Sequence, residues 1–170
     1  MVRIREAFPI DTEAIVEVTV SGWRAAYPGI VPARHLGDLP ISTWRSDIRS
    51  GLRSPEGDSF TRIADLDGVV AGYCYVAAPA RGEPEGSRAA ELVAIYVEPA
   101  FWRSGIGGEL ARAAISEARE RTYEEIVLWT FEDNRRALAF YEALGWERDG
   151  ARRPHRATGV STVRLRRALA

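Results

Sequence analysis

The chain has 170 residues, 46% of them hydrophobic and 28% charged, which suits one core-bearing domain over residues 1–170 and excludes disordered, collagenous and fibrous classes. Its 23 basic residues are all arginine and meet 24 acids, for a formal charge of −1, so no global basic field draws nucleic acid or an anionic membrane. The missing lysine excludes P-loop and Schiff-base chemistry, and one cysteine (Cys74) with two histidines (His35, His155) excludes a disulfide framework and any thiolate- or histidine-rich metal centre.

The first residues lack the apolar run of a signal peptide, and the most apolar stretch, residues 69–80, is too short to cross a bilayer, so a cytoplasmic protein without a membrane partner is expected. Residues 2–6 alternate apolar and charged as a half-buried strand does. Pro9-Ile10-Asp11 then stops the strand and caps a helix carrying Ile15, Val18, Gly22 and Ala26 on one face. Residues 27–39, with two prolines and two glycines, read as an irregular connection to a helix over 42–52. The aromatics Trp23, Tyr27 and Trp44 around it read as packing that could also line a pocket.

Residues 60–65 and 69–78 flank Asp67-Gly68, the signature of a β-hairpin. A glycine- and proline-rich loop over 79–88 leads to a strand over 90–97, a helix over 104–121 and a strand over 125–130. Asp133 is expected to cap a helix whose apolar side is Ala137, Leu138, Phe140, Tyr141 and Leu144, ended by Gly145. Two closing strands follow, and the arginine-rich tail over 152–170 reads as a solvated edge strand. The order predicts an α+β fold of the three-layer α/β/α type, with a mixed, mostly antiparallel central sheet flanked by helices.

The strongest chemical signal is strand, glycine turn, helix, in the run from Glu91 through Ile95-Tyr96-Val97 to Trp102-Arg103-Ser104-Gly105-Ile106-Gly107-Gly108. Close glycines let backbone approach a ligand, and the first amides of a helix lack internal partners, so the turn offers donors to an anion. A dinucleotide fingerprint would need glycine at 110, where leucine stands.

Residues 102–107 fill the frame Gln/Arg-x-x-Gly-x-Gly/Ala and so resemble the phosphate-binding turn of the GNAT superfamily of acetyl-CoA-dependent N-acetyltransferases. The departure is Trp102 in the Gln/Arg slot, with the arginine one residue on. The run from Asn134 to Trp146 is similar to that family's Asn-x-x-Ala-x-x-x-Tyr-x-x-x-Gly-Phe segment. The resemblance covers about residues 2–150 and is strongest over 90–146.

That resemblance implies acetyl-CoA as acyl donor, with no metal. Ile95, Tyr96 and Val97 would offer backbone to the pantetheine arm, and Arg103, Ser104, Gly105, Ile106, Gly107 and Gly108 would wrap the pyrophosphate. Asn134 would bind the arm and Tyr141 would serve as acid at the thioester sulfur. These last two are seven apart, so they share a helical face to within about 20°. Glu91, fourteen residues before Gly105, matches in spacing the general base of histone-acetylating members. Independently of the resemblance, the aromatics Trp23 and Tyr27 are expected to contact the acceptor.

The implied activity is transfer of an acetyl group to a primary amine by direct attack, the acceptor being a small molecule or a peptide amine. The alternatives are a protein N-terminal or lysine acetyltransferase, a non-catalytic acyl-CoA-binding regulatory module, and nucleic-acid binding through the arginine-rich tail. Edge strands are compatible with a homodimer. His35, Asp38 and Asp47 read as surface that could contact a cation, and Cys74 as an improbable acyl carrier.

Overall fold

The computed structural model describes residues 1–78, 80, 82–83 and 87–169, so part of the expected 79–88 loop lies outside the described residues. In chain order it places β1 (Val2–Glu6), a 3-10 turn (Pro9–Asp11), α1 (Thr12–Ala26), α2 (Ala33–Gly37), α3 (Ile41–Arg53), β2 (Phe60–Leu66), β3 (Val69–Ala77) and β4 (Ala89–Val97). A second 3-10 turn (Pro99–Phe101), α4 (Ile106–Glu120), β5 (Glu125–Phe131), α5 (Arg135–Ala143), β6 (Glu147–Pro154) and β7 (Ser161–Ala168) complete it. The strands form one sheet in the order β1-β2-β3-β4-β5-β7-β6. Only the β4–β5 pair is parallel, so the expected mixed, mostly antiparallel α+β architecture is what the chain adopts.

Alternation along the central strands divides the core in two. Cys74 and Val76 of β3 join Leu110, Ala114 and Ile115 of α4, while Tyr73 and Tyr75 join Ile15 and Val18 of α1. The buried stripe of α4 recurs at Ile106, Leu110, Ala111, Ala114, Ile115 and Ala118, a helical period in which alanines let the helix lie close to the sheet. Burial of Leu110 or Ile115 is worth about 1.5–3 kcal/mol each. The β2–β3 hairpin turns on Asp67 (φ 51°) and Gly68 (φ 91°), the left-handed pair that a tight two-residue turn requires.

Two irregularities in β4 matter for everything below. Tyr75 of β3 faces Ala94 but Val76 faces Leu92, so Val93 is a bulge without a partner on β3. The extra residue reverses the alternation: Ala90 and Leu92 before it, and Ile95 and Val97 after it, all turn to the α4 side, while Ala94 and Tyr96 turn to α1. Second, β4 pairs with β5 only at Ala89, Ala90 and Glu91, while β5 stays paired with β7 along its whole length. Beyond Glu91 the sheet therefore parts between residues 92–97 and residues 128–131.

Several boundaries differ from the sequence expectation. The helix expected from 104 begins at Ile106, because Gly105 at φ 90° is its N-cap. Residues 27–39 are not wholly irregular; they hold α2 and a Pro28–Val31 bridge. Asn134, not Asp133, caps α5: its Oδ1 accepts from the Ala137 amide at 3.2 Å, a residue-type preference the two share and only geometry separates. Asp11 occupies the N-cap of α1 but turns its carboxylate back to the Phe8 amide and to Arg5.

The tail is also corrected. β7 lies inside the sheet between β5 and β6, and of these two closing strands β6 is the edge. Three of the tail's arginines are tied down: Arg164 and Arg166 bind Glu83 and Asp149, and Arg152 binds Glu132 at 2.8 Å. No helix among the described residues is long and apolar enough to cross a membrane.

Candidate active site

The parted strands open a cleft of about 790 Å³ that passes through the sheet. On the α4 side lies the glycine turn. Arg103 (φ 65°) and Gly105 (φ 90°) take left-handed conformations there, and among the described residues neither amide donates to a backbone carbonyl. The amides of the first helical turn, Ile106 to Gly108, add further donors, because a helix cannot satisfy its first four N–H groups internally. The helix dipole places positive potential at the same point.

Trp102, the departure from the family pattern, closes this turn in its own way. Its Nε1 donates to the Val97 carbonyl at 2.8 Å, and the Arg136 guanidinium stacks on its ring at 3.7 Å. Residues 102–108 are thereby fastened to the end of β4. Arg103, Gly105, Gly107 and Gly108 line the cleft. Ser104 and Ile106 do not: the Ser104 hydroxyl donates to the Phe101 carbonyl at 2.6 Å and the Ile106 side chain is buried in the core, so any part they play is confined to their amides.

Asn134 and Tyr141 meet in the cleft from the same face of α5. The Asn134 carbonyl is committed to its cap, which leaves its amide N–H groups to serve a ligand. The Tyr141 ring packs edge-on to Phe140 and Trp146, at 5.2 and 5.6 Å, and burial pushes its phenol well above the usual value, with Tyr96 and Cys74 adding to the effect. Ile95, Tyr96 and Val97 form the β4 wall, whose backbone on the β5 side pairs with no strand past Glu91.

Through the opening, on the α1 side, stand Trp23, Tyr27 and Glu91, joined by groups that sequence reasoning missed: Val93, Trp129, Phe131, Arg153, His155 and Arg156. Trp23 and Tyr27 do pack first, edge to face at 4.9 Å, and the Tyr27 hydroxyl lies 3.2 Å from that of Tyr96. Burial drives both of these phenols upward, so they stay neutral. Trp44 touches Trp23 at 5.4 Å but lies outside the cleft, as do His35, Asp38 and Asp47. The Glu91 carboxylate is buried and stands 3.8 Å from the Arg153 guanidinium, which itself stacks on Trp129 at 3.9 Å.

His155, in the β6–β7 turn, is held on several sides. Its ring packs against Phe131 (5.1 Å) and Trp23 (5.8 Å), its Nδ1 lies 3.1 Å from the Thr158 hydroxyl, and its own amide donates to Val160. Partial burial lowers its pKa, and Arg153 and His35 lower it further, so the imidazole is neutral at pH 7. No periodicity announced this residue, because β6 and β7 return to the cleft only through the sheet order. Cys74, by contrast, is fully buried against the Leu110 carbonyl and pushed up to about 12, which makes it inert. Among the described residues no three His, Cys, Asp or Glu side chains gather to hold a metal ion.

Comparison with known proteins agrees with this geometry. The chain is 31% identical over 106 residues to mycothiol acetyltransferase of Sanguibacter keddieii, covering 61% of this chain and 33% of that one. It is 32% identical over 130 residues to N-acetylaspartate synthetase of Danio rerio, covering 76% and 44%. It thus spans a third to under half the length of these relatives. In fold it is similar to PaiA N-acetyltransferase of Thermoplasma acidophilum, solved in complex with coenzyme A, with a TM-score of 0.81 at 18% identity over 99% of each chain. The glycine turn, the parted strands and the α5 face all fall within residues 21–146, which match the model of the acetyltransferase (GNAT) family, and the chain belongs to that family.

Proposed function

We propose that the chain is an acetyl-CoA-dependent N-acetyltransferase acting on the primary amine of a small molecule. The observation that carries this reading is the through-sheet cleft, with unpartnered amides on one face and an acid, a neutral imidazole and an aromatic wall on the other. The donor set fits an acyl-CoA: the free amides at 103, 105 and the first turn of α4 suit a diphosphate, and the open β4 edge suits an extended amide-bearing arm. When bound, that ligand supplies an acetyl thioester.

The chain's own groups then have separate duties. Asn134 orients the arm, and β4 backbone N–H groups at the opening stabilise charge on the carbonyl oxygen. The Tyr141 hydroxyl donates to the departing sulfur; burial keeps it protonated throughout the working pH range. Among the described residues, Glu91 and His155 are the proton acceptors on the amine side. An ordinary carboxylate near 4.3 lies about six pH units below an alkyl ammonium, or about 8 kcal/mol, and an ordinary imidazole near 6.5 about four below; lowering at His155 narrows but does not reverse this preference, so His155 takes the proton and Glu91 attracts the ammonium.

Enclosure by Trp23, Tyr27 and Phe131 favours a compact acceptor over a protein lysine or N-terminus, and two relatives are named for small-molecule acetylation. The reading places the protein in the cytoplasm, consistent with its one buried thiol. The test is calorimetric titration with acetyl-CoA followed by thiol release across a panel of amines. Heat with turnover is expected. Absence of heat from folded protein overturns the reading, and heat without any amine acetylated leaves a binding module in its place.

A further inference from the structure

Charge is distributed unevenly at the acceptor end of the cleft. Among the described residues, the charged side chains that line it there are Arg153 and Arg156, cationic, and Glu91, anionic, a balance of two minus one, or +1, with His155 neutral. Three other arginines of the tail show what an engaged guanidinium looks like in this chain: Arg164 and Arg166 reach carboxylates at 2.6 Å and Arg152 at 2.8 Å. Arg156 is exposed and makes no hydrogen bond or ion pair with a described residue. Arg153 reaches a carboxylate only at 3.8 Å, beyond hydrogen-bond distance, although stacking on Trp129 at 3.9 Å fixes its plane. Two guanidiniums with N–H donors to spare therefore face the space in which the acceptor must lie.

We infer that the acceptor is an α-amino acid with an apolar side chain, its carboxylate bound by Arg153 and Arg156. A guanidinium fork matches a carboxylate in a bidentate way, and a stacked guanidinium loses little freedom on binding one. An amino group one carbon away from that carboxylate falls beside Glu91, which stands next to Arg153 at the parting of β4 and β5. The side chain lies against Trp23 and Phe131, whose rings meet at 6.2 Å. A zwitterion adds no net charge to a mouth already at +1, whereas a polyamine adds two or more positive charges and leaves the arginines unanswered. A peptide N-terminus likewise brings no carboxylate next to its amine.

This inference rests on the acetyltransferase reading, and the experiment separates the two. Acetyl-CoA-dependent thiol release is compared for L-phenylalanine, phenethylamine, spermidine and an alanyl peptide. L-Phenylalanine is expected to exceed phenethylamine in kcat/KM by at least about tenfold, because a site built to bind an ionic group rejects the analogue lacking it. In Arg153→Gln and Arg156→Gln that preference collapses because KM rises more for L-phenylalanine than for phenethylamine, with acetyl-CoA affinity retained as the control for folding. Titration of the same two amines into protein saturated with coenzyme A reads the preference without turnover. Equal or reversed binding of L-phenylalanine and phenethylamine, better turnover of spermidine or the peptide, or equal losses for both amines in the variants would overturn the inference. Failure to bind acetyl-CoA at all would instead overturn the reading beneath it.

Discussion

Gly22 of α1 and Tyr96 of β4 touch so closely that a Cβ at position 22 would stand 2.8 Å from Cδ1 of the tyrosine ring. The missing side chain is what allows α1 to lie over β4 beside the cleft, and Tyr96 in turn holds the Tyr27 hydroxyl at 3.2 Å. Gly22→Ala must push Tyr96 aside. Overpacking of this kind costs about 1–3 kcal/mol, which urea unfolding will read. Because Tyr96 and Tyr27 both line the cleft, the same variant should raise the KM for the amine.

Tyr141→Phe removes one oxygen and keeps the ring contacts with Phe140 and Trp146. A fall in kcat of about a hundredfold or more is expected, with acetyl-CoA affinity unchanged and stability within about 1 kcal/mol. Pre-steady-state thiol release against calorimetric affinity checks both halves. Unchanged turnover would remove the hydroxyl from the chemistry.

Base assignment is readable from pH profiles. Burial, Arg153 and His35 all disfavour the protonated imidazole of His155, so the acid limb of kcat/KM should fall below the ordinary histidine value of about 6.5. His155→Gln should abolish that limb and lower kcat/KM by roughly 10² or more. Arg153→Gln, which removes one positive neighbour, should move the limb upward. Glu91→Gln should weaken amine binding and leave the limb in place; its disappearance there would assign the base to Glu91.

Acid stability has a separate source at the start of the chain. The Arg5 guanidinium, at 2.9 Å, holds the buried Asp11 carboxyl below the usual range, against the opposing effect of burial and with help from the Phe8 amide. A carboxyl whose folded pKa is depressed contributes stability above its unfolded value, about 3.9, and loses it as pH falls through the folded one. Arg5→Ala should therefore cost about 2–3 kcal/mol at neutral pH and flatten the loss of stability below about pH 4, measured as Tm against pH.

The fold and half of the site were legible in the sequence because they are local. Alternation gave β1, Asp67-Gly68 gave the hairpin, alanine-rich composition gave α4 and an apolar side gave α5, while the glycine spacing marked the turn at 102–108 and the resemblance of 134–146 pointed to Asn134 and Tyr141. What escaped depends on pairings distant in sequence. Nothing around Val93 signals a bulge, since the extra residue is visible only against Tyr75 and Val76 on the partner strand. His155, Arg153 and Arg156 read as tail because the crossing that inserts β7 between β5 and β6 leaves no periodic trace. Asp133 and Asn134 are equivalent as caps by residue type, and only backbone geometry chose between them.

A wall with a slit in it has two doors. Because β4 and β5 separate past Glu91, the coenzyme can dock from the α4 face while the amine arrives from the α1 face, and neither blocks the other's route. Both reactants can then be aboard together, which calls for intersecting double-reciprocal lines in initial-rate kinetics. Parallel lines, the mark of an acylated enzyme waiting for its second visitor, would have no thiol on this wall to explain them, since Cys74 is sealed inside it.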